Sequence, residues 1–166
     1  MVCFDASVLI DLFNERLAGP RRQRIDILMA ELNKQKITIP APAYIEFLTR
    51  SDKAREAYHA KIESNSNFRV EPLSKRASIE CAILLDEVFS AKAKRDVTKT
   101  KLKFDWMIVA IAKTIRPTSV YSCDDDIVRG CRHAGLVCVN IDDIVIPPPA
   151  PSTMPLFAPL PGAEPA

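Results

Sequence analysis

Nowhere in this chain do about 18 apolar residues run together, and its first residues hold no basic stretch leading into a long apolar run. Neither a membrane span nor a secretory leader is expected, so the sequence reads as a soluble cytoplasmic protein. The five cysteines, Cys3, Cys81, Cys123, Cys131 and Cys138, are odd in number and form no C-x-x-C pair. That argues against a disulfide framework or a zinc site and suits reduced thiols among apolar neighbours. A strong charge of either sign is also missing. The 23 basic residues nearly balance 21 acidic ones, for a net +2, so charge alone names no nucleic-acid partner. No internal repeat is visible.

The chain does have 166 residues, 48% of them hydrophobic, which is enough to bury one substantial core. It also has a sharp change of composition. From Pro147 the segment PPPAPSTMPLFAPLPGAEPA is crowded with prolines, which remove backbone donors and fix φ. We therefore expect a folded domain over 1–146 and a proline-rich tail over 147–166 that is either disordered or a docking segment in extended polyproline form.

Before that boundary, short apolar strands alternate with helical patterns. VCF (Val2–Phe4), ITI (Ile37–Ile39), FRVEPL (Phe68–Leu73), SVYS (Ser119–Ser122) and LVCV (Leu136–Val139) read as strands or extended chain. Helices are predicted from Ser7, around Ile25–Leu32, from Pro42 and over about Lys53–Glu63. A long helix capped by Ser74 is expected to bury Ile79, Ala82, Ile83 and Val88, and further helices are expected over Phe104–Ile115 and from about Asp125. Apolar strands alternating with helices predict an α/β fold whose central, mainly parallel sheet is covered on both faces.

Ligand sites in such sheets lie beyond the carboxyl ends of the strands. Asp5 follows the first strand in CFDAS, and Asp124 follows SVYS in SCDDDI. Asp105 heads the apolar helix KFDWMIVAIA, and Glu46 sits among apolar residues in PAYIEFL. Each has an ordinary explanation as a cap, a turn residue or a solvated acid. If the four converge, a pair at ~5 Å repels by about 3 kcal/mol at an effective dielectric near 20. A divalent cation offsets that most simply, and oxygen-only ligands favour Mg²⁺ or Mn²⁺. Asp11, at helical spacing from Asp5, reads as part of a solvated face.

The set FDASVLIDLF, PAYIEFL, KFDWMIVAIAKT and VYSCDDDI, in this order, resembles the PIN-domain family, and most of all the VapC-type ribonuclease toxins of toxin–antitoxin modules. The resemblance covers roughly 1–146. It implies a three-layer α/β/α fold and metal-dependent RNA cleavage by Asp5, Glu46, Asp105 and Asp124. Asp126 could share the metal with Asp5, Asp105 and Asp124, or replace Asp124. Ser7 and Ser122 match hydroxyl positions beside the acids and are expected near the substrate. An antitoxin partner and a homodimer are further implications.

The chemistry expected is phosphodiester hydrolysis, with a water of lowered pKa attacking phosphorus in line. Positive charge for the RNA is expected from SAKAKRDVTKTKLK, chiefly Lys99, Lys101 and Lys103, which leads into Asp105. The basic residues Arg21, Arg22 and Arg24 read as solvent-facing. Neither basic cluster has interleaved aromatics, so base readout by stacking is not expected. Two other readings stay open: a PIN-fold RNA-processing or RNA-binding domain without a toxin role, and a non-nuclease α/β module that binds a partner. A phosphatase-like site is disfavoured because FDASV lacks a second Asp in D-x-D spacing.

Overall fold

The computed structural model describes residues 1–90 and 99–148. The tail from residue 149 on, with Lys92, Lys94 and Arg95 of the basic stretch, lies outside the described residues. Among those described, no helix is long and apolar enough to cross a membrane.

Five strands form one all-parallel sheet: β1 (Val2–Phe4), β2 (Ile37–Pro40), β3 (Phe68–Glu71), β4 (Val120–Ser122) and β5 (Cys138–Asn140). Their order is β3-β2-β1-β4-β5. The chain winds outward from β1 in one direction, then returns to build the other half from β4. Right-handed crossovers running in opposite directions put helices on opposite faces, which makes the three-layer α/β/α arrangement. Seven α-helices are described: α1 (Ala6–Phe13), α2 (Gly19–Leu32), α3 (Ala41–Arg50), α4 (Arg55–Ser64), α5 (Lys75–Ser90), α6 (Lys99–Ile115) and α7 (Asp125–His133). The central strands β1 and β2 are buried at every position, as the doubly covered part of a parallel sheet must be.

Two helices differ from their sequence reading. Helix α5 does have Ser74 at its head, where the hydroxyl accepts from the Ala77 N–H at 3.1 Å. It buries Ala77, Cys81, Leu84 and Val88, whereas Ile79 and Ile83 are 56% and 48% exposed and Ala82 faces solvent. Two apolar series at helical spacing compete for the core here. The series Ala77, Cys81, Leu84 and Val88 is the buried one, on a helix that packs extensively against α6. Helix α6 starts at Lys99 rather than Phe104, so the basic residues form its opening turns and Asp105 lies inside it. The apolar stretch that follows is buried as expected, from Trp106 through Ala112 apart from the half-buried Met107. Gly130 permits close approach of α7 to α6, since a Cβ there would meet Val109 Cγ2 at 3.0 Å.

Candidate active site

Between β1 and β4 the winding direction reverses, and parallel sheets open a crevice at that point. Asp5 follows β1 and Asp124 follows β4, and the two strands are neighbours. The Asp5 N–H bonds the Tyr121 carbonyl at 3.1 Å. Helices α1, α3, α6 and α7 close around this edge to leave a groove of about 850 Å³. Its lining includes Asp5, Ser7, Glu46, Lys101, Asp105, Asp124, Asp125 and Asp126.

Asp5 caps α1 and is only 4% exposed. Its Oδ2 accepts from Ser7 Oγ at 2.8 Å and Ser122 Oγ at 2.9 Å, with a longer bond from the Ser7 N–H at 3.4 Å. The two serines extend this into a network, because Ser7 Oγ accepts from the Cys123 N–H and Ser122 Oγ from the Asp124 N–H, both at 2.9 Å. Ser122 is fully buried. The structure thus places both hydroxyls beside the acids and commits them to holding Asp5 and the β4–α7 turn. Ser122, unlike Ser7, is not part of the groove lining.

Asp124 is both the cap of α7 and a wall of the groove. Its Oδ1 accepts from the Asp126 N–H at 2.8 Å, while Oδ2 faces Lys101 Nζ at 3.0 Å. Asp126 Oδ2 lies 2.8 Å from the same ammonium, and its other oxygen pairs with Arg129. These cations hold the Asp126 carboxyl below its ordinary pKa, the Lys101 hydrogen bond most strongly. Asp125 points to Asn140 Nδ2 at 3.2 Å.

Asp105 cannot be a cap, since more than a turn of α6 precedes it. It is 9% exposed, and its buried Oδ2 has no hydrogen-bond partner among the described residues. Lys101 Nζ stands 3.7 Å from that oxygen. Burial pushes the Asp105 pKa up to about 7. Lys101 opposes this, and the neighbouring charges of Asp124, Asp126 and Asp5 add to it. A buried, unbonded carboxylate oxygen is costly to keep, and a cation in the groove would satisfy it.

Glu46 lines the same groove from α3, with its carboxylate 2.8 Å from Arg50 one turn along the helix. The acids that converge are Asp105, Asp124 and Asp126 around one ammonium, with Asp5 beside them and Glu46 on the groove wall. As placed, no three His, Cys, Asp or Glu side chains among the described residues stand close enough to hold one ion together. Lys101 occupies the point of convergence. The donor set still suits a hard divalent cation, being all oxygen, with one oxygen already orphaned.

Lys101 is the residue whose part the sequence reading underestimated. Its i,i+4 spacing to Asp105 was a usable signal, but its contacts with Asp124 and Asp126 cross from α6 to α7. Arg50 and Arg129 were also missed, although each stands at helical spacing from an acid it pairs. Phe104, 40% exposed, lines the groove as well, so an aromatic does border the site. Lys103 is exposed on α6, and only the backbone of Lys99 is described.

Two expectations outside the groove are corrected. Asp11 is not part of a solvated face, because Arg21 Nε lies 2.6 Å from its carboxylate and Cys123 Sγ approaches at 3.6 Å. Arg21 and Arg24 are partly buried and bind Asp142 at 2.6 and 3.3 Å, which ties α2 to the turn after β5. Arg22 pairs with Asp26 on the surface of α2. All five cysteines are free, with Cys3, Cys81 and Cys131 buried.

Known proteins share this architecture. FitAcB from Neisseria gonorrhoeae superposes with a TM-score of 0.65 at 15% identity, covering 86% of this chain and 99% of that one. VapBC2 from Rickettsia felis, bound to a promoter DNA fragment, gives 0.62 at 14% identity over 84% and 98%. Mycobacterium tuberculosis VapC20, a sarcin–ricin-loop-cleaving toxin, gives 0.59 at 18% over 82% and 97%. At such identities the likeness speaks for the fold alone. No curated protein matches the sequence. The PIN domain family model, however, matches residues 2–132, a span that runs from β1 through the acids of α7. The groove at the β1–β4 switch point is therefore the site of a chain that belongs to the PIN-domain family.

Proposed function

We propose that this protein is a metal-dependent endoribonuclease that hydrolyses RNA phosphodiester bonds and acts as the toxin of a toxin–antitoxin pair. The observation that carries the reading is the convergence of Asp105, Asp124 and Asp126 on one cationic point beside Asp5, with Asp105 Oδ2 buried and unbonded. Membership of the PIN-domain family and the likeness to the VapC and FitB type of structure support it.

In this reading Asp5, Asp105 and Asp124 hold Mg²⁺ or Mn²⁺, with Asp126 as a further ligand. Bound there, the ion supplies water activation and charge neutralisation at the scissile phosphate. The chain's own groups do the rest. Ser7 and Ser122 fix Asp5 in place and leave its Oδ1 for the groove. Desolvation keeps the groove walls around Asp105 low in dielectric, which strengthens every charge interaction there. Glu46, on the groove wall, accepts the proton of the attacking water at a carboxylate oxygen. Lys99, Lys101 and Lys103 on the first turns of α6 attract the phosphate backbone. The partners proposed are RNA, an antitoxin protein and a second copy of the chain, and the proposed location is the cytoplasm.

The test is incubation of the pure protein with total RNA, with and without Mg²⁺, followed by mapping of the cut ends. Discrete ends that need Mg²⁺ and vanish in Asp5→Ala are the expected result. Intact RNA under both conditions would remove the nuclease reading.

A further inference from the structure

Resting on that reading, we propose that Lys101 is a tethered competitor of the metal: its ammonium binds the carboxylate oxygens that the divalent cation requires, and the ion must displace it. The geometry is specific. Lys101 Nζ lies 3.0 Å from Asp124 Oδ2, 2.8 Å from Asp126 Oδ2 and 3.7 Å from Asp105 Oδ2. Asp124 has already committed Oδ1 to the α7 cap, so the oxygen it can offer an ion is the one Lys101 holds. For Asp105, Oδ2 is the buried oxygen without a hydrogen bond, and it faces the same ammonium.

Helix geometry makes the arrangement a property of α6. Residues four apart share a face, so a lysine one turn before Asp105 is delivered to the mouth of its carboxylate. Close packing of α7 on α6, permitted at Gly130, then brings Asp124 and Asp126 to the same point. A lysine amine carries its proton at neutral pH, so Lys101 meets these oxygens as an ammonium. It must leave as a cation. Two cations cannot share these oxygens without repulsion, so metal binding releases an ammonium onto the groove wall, where the phosphate backbone enters. Lys101 thereby stabilises the acidic cluster without metal and weakens metal binding by the same contacts.

The experiment is an Mn²⁺ titration by calorimetry, paired with thermal melting in chelator, on the full chain and its Lys101→Met, Lys101→Arg and Lys103→Met variants. Lys101→Met should lower the apparent Mn²⁺ dissociation constant on the order of tenfold, and its metal-free melting temperature should fall. Lys101→Arg keeps the charge and should stay near the parent. Lys103→Met removes the same charge from α6 without touching the acids, so its Mn²⁺ affinity should match the parent. Unchanged Mn²⁺ affinity in Lys101→Met, or an equal gain in Lys103→Met, would overturn the competitor role. If Lys101→Met does not fold, Lys101→Gln carries the same comparison. A parent protein that binds no Mn²⁺ sinks the metal reading itself, whereas binding that is indifferent to Lys101 sinks only this inference.

Discussion

Asp105 costs the fold stability and is expected to return it as chemistry. Its carboxyl titrates at about 7 rather than 3.8, chiefly because burial disfavours the charged form. A raised acid pKa means the folded state binds the proton more tightly than the unfolded state. The favourable contribution is therefore fully present below 3.8 and is lost as pH rises through about 7. Asp105→Asn should raise the metal-free melting temperature at about pH 8 and change it little at about pH 4. The same variant should abolish Mg²⁺-dependent cleavage. Thermal melts at the two pH values decide the first point, and an equal shift at both would mean that Asp105 is not ionised at a cost. Since more than a helical turn precedes Asp105, a capping role has dropped out. Asn would have served nearly as well as a cap, so the substitution reads the charge alone.

Helices α5 and α6 both depart from what their local spacing predicts. On α5 the apolar pair Ile79 and Ile83 faces solvent while Leu84 is 1% exposed. Ile83→Gln should change the unfolding free energy by about 0.5 kcal/mol or less. Leu84→Ala should cost about 2–5 kcal/mol through the cavity it leaves. Denaturant unfolding of the two variants checks which face is buried, and a large loss in Ile83→Gln would reverse the assignment.

On α6 the basic turns were legible as a charge run, but their helical state was not, because no apolar periodicity marks a helix that begins in lysines. Neutralising Lys99 and Lys103 together should weaken binding of an RNA oligonucleotide. It should also flatten log affinity against log salt by about 0.7 for each phosphate that the variant no longer neutralises. An unaltered slope would leave those side chains as solvated charges. Lys101 is omitted from that pair because its contacts with the acids would change metal affinity at the same time.

For the molecule as a whole, a ligand that binds only the native state stabilises it by mass action. Mn²⁺ at one hundred times its dissociation constant should add about 2.7 kcal/mol to the unfolding free energy. The effect should vanish in the Asp5→Ala, Asp124→Ala double variant, as melting curves across an Mn²⁺ series would show. A shift that survives in the double variant would take these two acids out of the proposed metal site.

Local pattern alone determined a good deal of this protein. All five strands lie where the short strand-like segments were expected, and Asp5 and Asp124 each follow a strand. Those features depend on spacing along the chain, which the sequence carries directly. Only tertiary structure decided the strand order, the buried face of α5 and the partner of each acid. Strand pairing joins residues more than a hundred positions apart, as Cys3 and Val120 are. Two apolar series on α5 satisfy the same helical period, so only the surface of α6 selects between them. Lys101 could be seen one turn from Asp105, yet its hold on Asp124 and Asp126 exists only because α7 packs against α6 across Gly130. Pairing between distant elements is set by packing in three dimensions, and no periodicity within either segment encodes it.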